Sequence, residues 1–166
     1  STLADVCGRH MVDSVQVCDL VSFPETWVDI GSGGGFPGVV VAIIAAEKAP
    51  DCQVTLIESD QRKCAFLRTA LRECGVRGRV ISDRIEKVAP MGAGVLSARA
   101  LADLSLLLEF AERHLSKDGI ALFSKGVQWK KEVDNARSQW RFELESTKSW
   151  TEPDAVVLKI EGVARV

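Results

Sequence analysis

The string Val28-Asp29-Ile30-Gly31-Ser32-Gly33-Gly34-Gly35-Phe36-Pro37-Gly38 runs from an apolar, strand-like stretch into residues with almost no side-chain bulk. Glycines at such a point let the backbone turn sharply and let a ligand press against main-chain N–H groups at the start of a following helix. Gly33-Gly34-Gly35-Phe36-Pro37-Gly38 satisfies the G-x-G-x-x-G spacing of dinucleotide sites, a pattern that alone is weak. The Gly-Lys-Ser/Thr triplet of a P-loop is absent.

Three features favour S-adenosylmethionine, which has no phosphate and presents an amino acid, a sulfonium and an adenosine. Asp29 sits inside the strand end, where a carboxylate can organise the turn or meet an ammonium group. The turn begins directly at Gly31, which makes Gly31-Ser32-Gly33 and Gly35 the tight element ahead of Phe36. Glu58, followed by Ser59, ends a second strand in Leu56-Ile57-Glu58-Ser59-Asp60 and can accept both hydroxyls of a ribose. Such an acid suits NAD equally, so an NAD-dependent oxidoreductase stays open. That chemistry calls for a tyrosine or histidine beside the nicotinamide, and the chain has no tyrosine and two histidines. A non-catalytic ribosome assembly factor is a third reading, against which the glycines and Glu58 argue.

Valine- and isoleucine-rich runs of strand length recur at residues 27–30, 54–57, 79–82, 95–98, 120–124 and 155–160, separated by helical periodicity over 36–48, 62–74 and 105–115. In the second helix Ala65, Phe66, Leu67, Ala70 and Leu71 are expected to point inward. The alternation predicts an α/β fold with a mostly parallel, doubly wound, Rossmann-like sheet and helices on both faces. Residues 141–150 and 155–162 follow one another through 151–154 with no helix between, which predicts a C-terminal antiparallel hairpin. Residues 2–21 carry Leu3, Val6, Cys7, His10, Met11, Ser14 and Val17 at helical spacing and predict an N-terminal helix laid on the domain.

The length suits one domain over 1–166, with 46% hydrophobic residues to build its core. No run of apolar residues is long enough to span a membrane and no export signal is evident, so a soluble cytoplasmic monomer is expected. The five cysteines include no Cys-x-x-Cys pair and read as reduced thiols serving mainly as small hydrophobes, with no metal site. The net charge of −2 gives no general attraction to a polyanion. Any nucleic-acid contact must be local, and the cluster of Arg62, Lys63, Arg68, Arg72, Arg77, Arg79, Arg84 and Lys87 reads first as a solvated face.

Arg99 falls just past the end of a strand, the edge where doubly wound folds bind ligands, and can hold a phosphate, a guanine O6 or a cofactor carboxylate. Arg84 and Lys125 stand at equivalent strand ends and can grip RNA phosphates. Ser97 can bond a base or cap a turn. His10 and Asp13 lie on one helical face, His114 is expected at the surface, and Trp129 and Trp140 are expected in the core.

The motif from Val28 to Gly38 resembles motif I of the RsmG (GidB) family, the 16S ribosomal RNA guanine-N7 methyltransferases. Arg9-His10-Met11-Val12-Asp13-Ser14 is similar to that family's R-H-x-x-D-S helix. Arg62-Lys63-Cys64-Ala65-Phe66-Leu67-Arg68 resembles its basic helix, Ser97-Ala98-Arg99-Ala100 its S-R-A string and Lys125-Gly126 its K-G pair. The resemblance implies a class I S-adenosylmethionine-dependent methyltransferase acting on guanine N7 of 16S rRNA, within the small ribosomal subunit or an assembly intermediate. It implies that Gly31 and Phe36 contact the cofactor, that Ile85 and Glu86 lie by its adenine, and that Arg99 lines the active site. Family members usually carry a further helical stretch ahead of the Arg-His helix, whereas Ser1 here almost opens it.

Overall fold

The computed structural model describes residues 2–166. Helix α1 (Leu3–Asp19) opens on a capping box, in which Thr2 Oγ1 accepts from Asp5 N–H and the Asp5 carboxylate accepts from Thr2 N–H. Then come β1 (Thr26–Ile30), α2 (Gly38–Lys48), β2 (Gln53–Glu58), α3 (Gln61–Glu73), β3 (Arg79–Ser82), a 3₁₀ turn at Ile85–Lys87, β4 (Ala93–Arg99), α4 (Leu104–His114), β5 (Leu115–Lys125), α5 (Trp129–Ala136), β6 (Trp140–Lys148) and β7 (Val156–Arg165). The strands form one sheet in the order β3-β2-β1-β4-β5-β7-β6. β1 to β5 are parallel, and β7 runs antiparallel to both β5 and β6. The doubly wound sheet and its C-terminal hairpin are as the hydropathy pattern predicts.

Because successive residues of a strand point to opposite faces, each parallel strand feeds two cores. Val28, Ile30, Ile57, Leu96, Ala98 and Phe123 face α4 and α5. Trp27, Val54, Leu56, Val95 and Leu122 face α1, α2 and α3. That parity also puts Asp29 and Ser97 under α2. The order reverses between β1 and β4, so the crevice where ligands bind such folds opens above Ile30 and Arg99.

Several details differ from the expectation. Helix α2 starts at Gly38 rather than at residue 36, because residues 33–37 belong to the turn. In α3 the inward set is Cys64, Leu67 and Leu71, while Ala65 is exposed and the Phe66 ring is 53% exposed. Only a narrow stripe of this helix meets the sheet, and an apolar residue one position off it faces water. On α1 Leu3 and Met11 are exposed, and Ser14, Gln16, Val17 and Cys18 are buried. Helix α5 has no counterpart in the sequence reading, since it is short and buries only Val133 and Ala136. Trp140 is buried as expected, whereas Trp129 is partly exposed beneath Lys130. Cys18 and Cys64 are buried; Cys7 and Cys74 are exposed, so not every thiol serves the core.

His114 is fully buried, not at the surface. It sits where α4 hands over to β5, and its Nε2 lies 2.9 Å from the carbonyl of Ile85. Burial pulls its pKa down, opposed by that hydrogen bond. Arg113 Nε donates to Val88 O at 2.9 Å, so two adjacent side chains fasten the 3₁₀ segment to α4. No helix among the described residues is long and apolar enough to cross a membrane.

Candidate cofactor and active site

The turn between β1 and α2 is held by its own backbone and by two carboxylates. Gly31, Gly33 and Gly35 adopt φ of 62°, 49° and 95°, the left-handed region that favours glycine. Gly31 N–H donates to Ile57 O at 2.9 Å, Gly33 N–H to Glu58 Oε1 at 2.8 Å and Gly35 N–H to Ser32 O at 2.8 Å. These amides are therefore satisfied within the protein and do not wait for a ligand. What the glycines provide is conformation and close approach.

Asp29 is buried, facing the start of α2 rather than open space. Its Oδ2 accepts from Ser32 Oγ at 2.8 Å and its Oδ1 from Ser97 Oγ at 2.7 Å, and Ser97 Oγ in turn accepts from Trp27 Nε1 at 2.9 Å. The Gly38 N–H also donates to this carboxylate. Pro37 at the N-cap of α2 makes no side-chain cap bond, so a residue of β1 supplies the negative charge that a helix N-terminus favours. Ser97, expected to meet a base or cap a turn, is fully buried in this network on the α2 face of β4. Ser32 and Gly35 are likewise buried within the turn.

A Cβ on Gly38 would lie 2.7 Å from Asp29 Oδ2 and 2.9 Å from two Leu56 carbons. Gly38→Ala is expected to destabilise the protein by about 2 kcal/mol, as overpacking of a closed site does; urea denaturation would measure it, and an unchanged midpoint would contradict the packing described.

Burial pushes the Asp29 carboxyl up to about 6 from its ordinary 3.8, against the hydrogen bonds from Ser97, Ser32 and Gly38 and with a small contribution from the charge of Glu58. Between those two values the native state binds more protons than the unfolded chain. Stability from this group is thus complete below about pH 4 and lost as pH rises through about 6, by up to roughly 3 kcal/mol. Asp29→Asn is expected to flatten that part of the stability–pH curve. Denaturant titrations of both proteins from pH 4 to 7 test it, and parallel curves would count against the assignment.

Beside the turn lies a cavity of about 370 Å³, whose lining combines Gly31 and Gly33 with the polar Glu58, Ser59, Lys63, Asp83, Arg84 and Glu86 and the apolar Ile57, Ile85, Leu101, Leu106 and Phe110. Glu58 is 8% exposed, and its oxygens accept from Gly33 N–H and from Asp60 N–H at 2.9 Å, which fixes the carboxylate while leaving it further lone pairs. This donor set suits a nucleoside: a rigid carboxylate for a ribose diol and an apolar wall at Ile85 for a purine. Of the residues expected here, Gly31, Gly33, Glu58, Ser59, Ile85 and Glu86 come together on the cavity. Phe36 does not line it; its ring meets that of His10 edge-on, with centroids 5.4 Å apart. Lys63, read in the sequence as part of a solvated basic face, lines the cavity; Asp83 and Leu101 went unnoticed, although they follow the carboxyl ends of β3 and β4, where the switch-point rule directs attention.

The cations of the site divide into two kinds. Arg84 Nε is paired with Glu86 at 2.6 Å, both exposed, a pair of small energetic consequence. Lys125, expected to grip phosphate, is turned inward: its side chain is 8% exposed, and its ammonium donates to Ala102 O at 2.6 Å and to Glu132 at 2.8 Å. Glu132 also accepts from Leu104 N–H at 2.9 Å, so this pair ties β5, α4 and α5 together. Arg99 is the contrast. It is half-buried, burial draws its pKa down, and among the described residues no carboxylate lies within ion-pair distance of it. Ala100 beside it adopts φ +47°, a conformation that costs a non-glycine residue about 1 kcal/mol and is characteristic of functional turns.

A glycine turn, a fixed acid ending the next strand and a free arginine ending β4 describe a cofactor-dependent site, and the family model described as rRNA small subunit methyltransferase G (GidB) matches residues 1–156 of this sequence. The chain belongs to this family. A ribosomal RNA small subunit methyltransferase G from Ruegeria sp. (strain TM1040) is 60% identical over 165 residues, covering 99% of this chain and 80% of that protein. The protein of the same name from Ruegeria pomeroyi is 56% identical over 165 residues, covering 99% and 81%. Among solved structures, the fold is similar to a TehB-like SAM-dependent methyltransferase from Corynebacterium glutamicum, with TM-score 0.66, 15% identity and coverage of 90% and 86%. It is also similar to a SAM-dependent methyltransferase from Aquifex aeolicus, with TM-score 0.69, 12% identity and coverage of 91% and 89%. At such identities these two establish the fold alone. As a member of the methyltransferase G family, the chain carries its Asp29 network, Glu58 and Arg99 within the span matched by the family model.

Proposed function

We propose that this protein transfers a methyl group from S-adenosylmethionine to N7 of a guanine in 16S ribosomal RNA. The observation that carries the reading is the placement of Glu58: a carboxylate locked by Gly33 N–H and Asp60 N–H beside the glycine turn, lining one cavity with the apolar side chain of Ile85. Glu58 would receive the ribose, Ile85 with Leu101 would flank the adenine, and the side-chain-free backbone at Gly33 would admit the amino-acid end.

S-adenosylmethionine, once bound, would supply an electrophilic methyl carbon for the N7 lone pair, with the electron pair of the carbon–sulfur bond returning to sulfur. No proton leaves N7, so the protein needs no general base. Its work is to align the base and to tolerate positive charge. Arg99 orients the guanine, while Asp29, Ser97 and Trp27 keep the turn rigid from behind. The substrate is ribosomal RNA within the small subunit or an assembly intermediate: the net charge of −2 supplies little attraction for naked RNA, and a folded particle adds docking surface.

The deciding experiment incubates small subunits from a strain lacking the enzyme with labelled S-adenosylmethionine and maps the modified nucleotide. Label at guanine N7 is expected. Label at an exocyclic amine or a ribose would overturn the N7 assignment. Calorimetric binding of NAD, with none of S-adenosylmethionine, would favour an oxidoreductase instead.

A further inference from the structure

A second cavity, of about 290 Å³, shares Ala100 with the glycine-turn cavity and opens over the ends of β4, β5 and β7. Three elements far apart in sequence meet on it. Asp13 comes from α1, Arg99 from β4 and Ser149 from the turn after β6. Asp13 Oδ1 accepts from Ser149 Oγ at 3.1 Å and from Thr151 Oγ1 at 2.8 Å, whereas no protein donor among the described residues reaches its Oδ2. Gln16, one helical turn on, is buried and clamps the same turn, donating to Lys148 O at 2.7 Å and accepting from Trp150 N–H at 3.0 Å.

The charges of this cavity select its occupant. Lys125 is neutralised by Glu132, and Glu152 is paired with Arg9, which leaves the Arg99 guanidinium and the Asp13 carboxylate as the charged groups of the cavity with no ion pair among the described residues. A phosphate would meet Asp13 with like charge. A neutral heterocycle that offers an acceptor to Arg99 and donors to Asp13 is complementary. Among the nucleobases, guanine presents two adjacent donors, N1–H and the 2-amino group, beside the acceptor O6. With that edge at Asp13 and O6 at Arg99, N7 takes part in neither contact and its lone pair stays free to react, in a cavity that shares Ala100 with the glycine-turn cavity.

We propose that this second cavity seats the target guanine extruded from the RNA, with Asp13 reading N1–H and the 2-amino group and Arg99 donating to O6. The proposal rests on the guanine-N7 reading above and adds the means by which the base is chosen. Asp13→Asn is the test variant, because its amide oxygen still accepts from Ser149 and Thr151 while its NH₂ opposes the guanine donors.

Wild-type and Asp13→Asn proteins are compared on small subunits reconstituted with ribosomal RNA carrying guanosine or inosine, which lacks only the 2-amino group, at the modified position. For wild type, inosine is expected to lower kcat/KM about ten- to a hundred-fold. The variant should lose at least that factor on guanosine and little more on inosine, with its S-adenosylmethionine Kd and thermal midpoint unchanged, since both changes remove the contact between Asp13 and the 2-amino group. Wild-type turnover by the variant on guanosine, an inosine penalty as large in the variant as in wild type, or a parallel loss of cofactor affinity would each overturn the proposal. If wild type itself places no methyl on N7 of guanosine, the underlying functional reading fails; if it does and the variant is indifferent, only the base pocket fails.

Discussion

Glu58→Ala is expected to raise the dissociation constant for S-adenosylmethionine about a hundred-fold. In the native protein this carboxylate is 8% exposed and fixed by two backbone N–H donors, so it meets the ribose without further ordering. Two charge-assisted hydrogen bonds to a diol contribute together about 3 kcal/mol, and each 1.4 kcal/mol is a factor of ten in affinity. The alanine variant also strands the amides of Gly33 and Asp60 and loosens the turn. Glu58→Gln separates the two effects: its oxygen still accepts from Gly33, and its loss of affinity should fall between the other two proteins. Isothermal calorimetry, with thermal melting as a control on folding, gives both numbers. An alanine variant that is folded and binds as tightly as wild type would remove Glu58 from the cofactor site, and with it the main support for the functional reading.

Arg99→Ala is expected to lower kcat/KM for the small subunit by about a hundred- to a thousand-fold while leaving the fold in place. The guanidinium is half-buried and free of ion pairs among the described residues, so its removal breaks no structural salt bridge. Its loss removes a preorganised donor that aligns the base, and misalignment of reacting atoms carries penalties of this size. Arg99→Lys keeps the charge without the planar fork and should recover only a part of the rate. Single-turnover methylation reads the effect directly. A wild-type rate in the alanine variant would sink the assignment, and a collapsed melting curve would mean that Arg99 serves the fold.

The order of strands and helices was largely legible in the hydropathy pattern because parallel strands buried on both faces read as apolar runs, and because turns between them are marked by glycine and proline. Helix α5 was not, since its contribution to the core is two residues, Val133 and Ala136. Within the site, Gly31, Gly33 and Glu58 were recognisable from local spacing alone: each lies at a strand end adjoining the turn. Lys125 was placed at a strand end and Ser97 against a base or a turn, but which way each points depends on parity and on neighbours from other elements. Ser97 faces α2 and bonds Asp29, and Lys125 meets Glu132 of α5, an element the sequence did not reveal. His114 illustrates the same limit, for its burial depends on a carbonyl at Ile85.

By itself the sequence determined that this chain builds a doubly wound sheet with a glycine turn and an acid poised after the second strand, because those properties reside in contiguous residues and in periodicity. Only the tertiary structure decided that Asp29 acts from beneath the turn and that the turn's amides are already engaged. It also decided that Asp13, Arg99 and the Ser149–Thr151 turn share one cavity. Asp13 and Thr151 are separated by 138 positions, and no local rule records such a meeting; it follows from the crossing of β1 to β4 at the switch point and from the packing of α1 against the C-terminal hairpin.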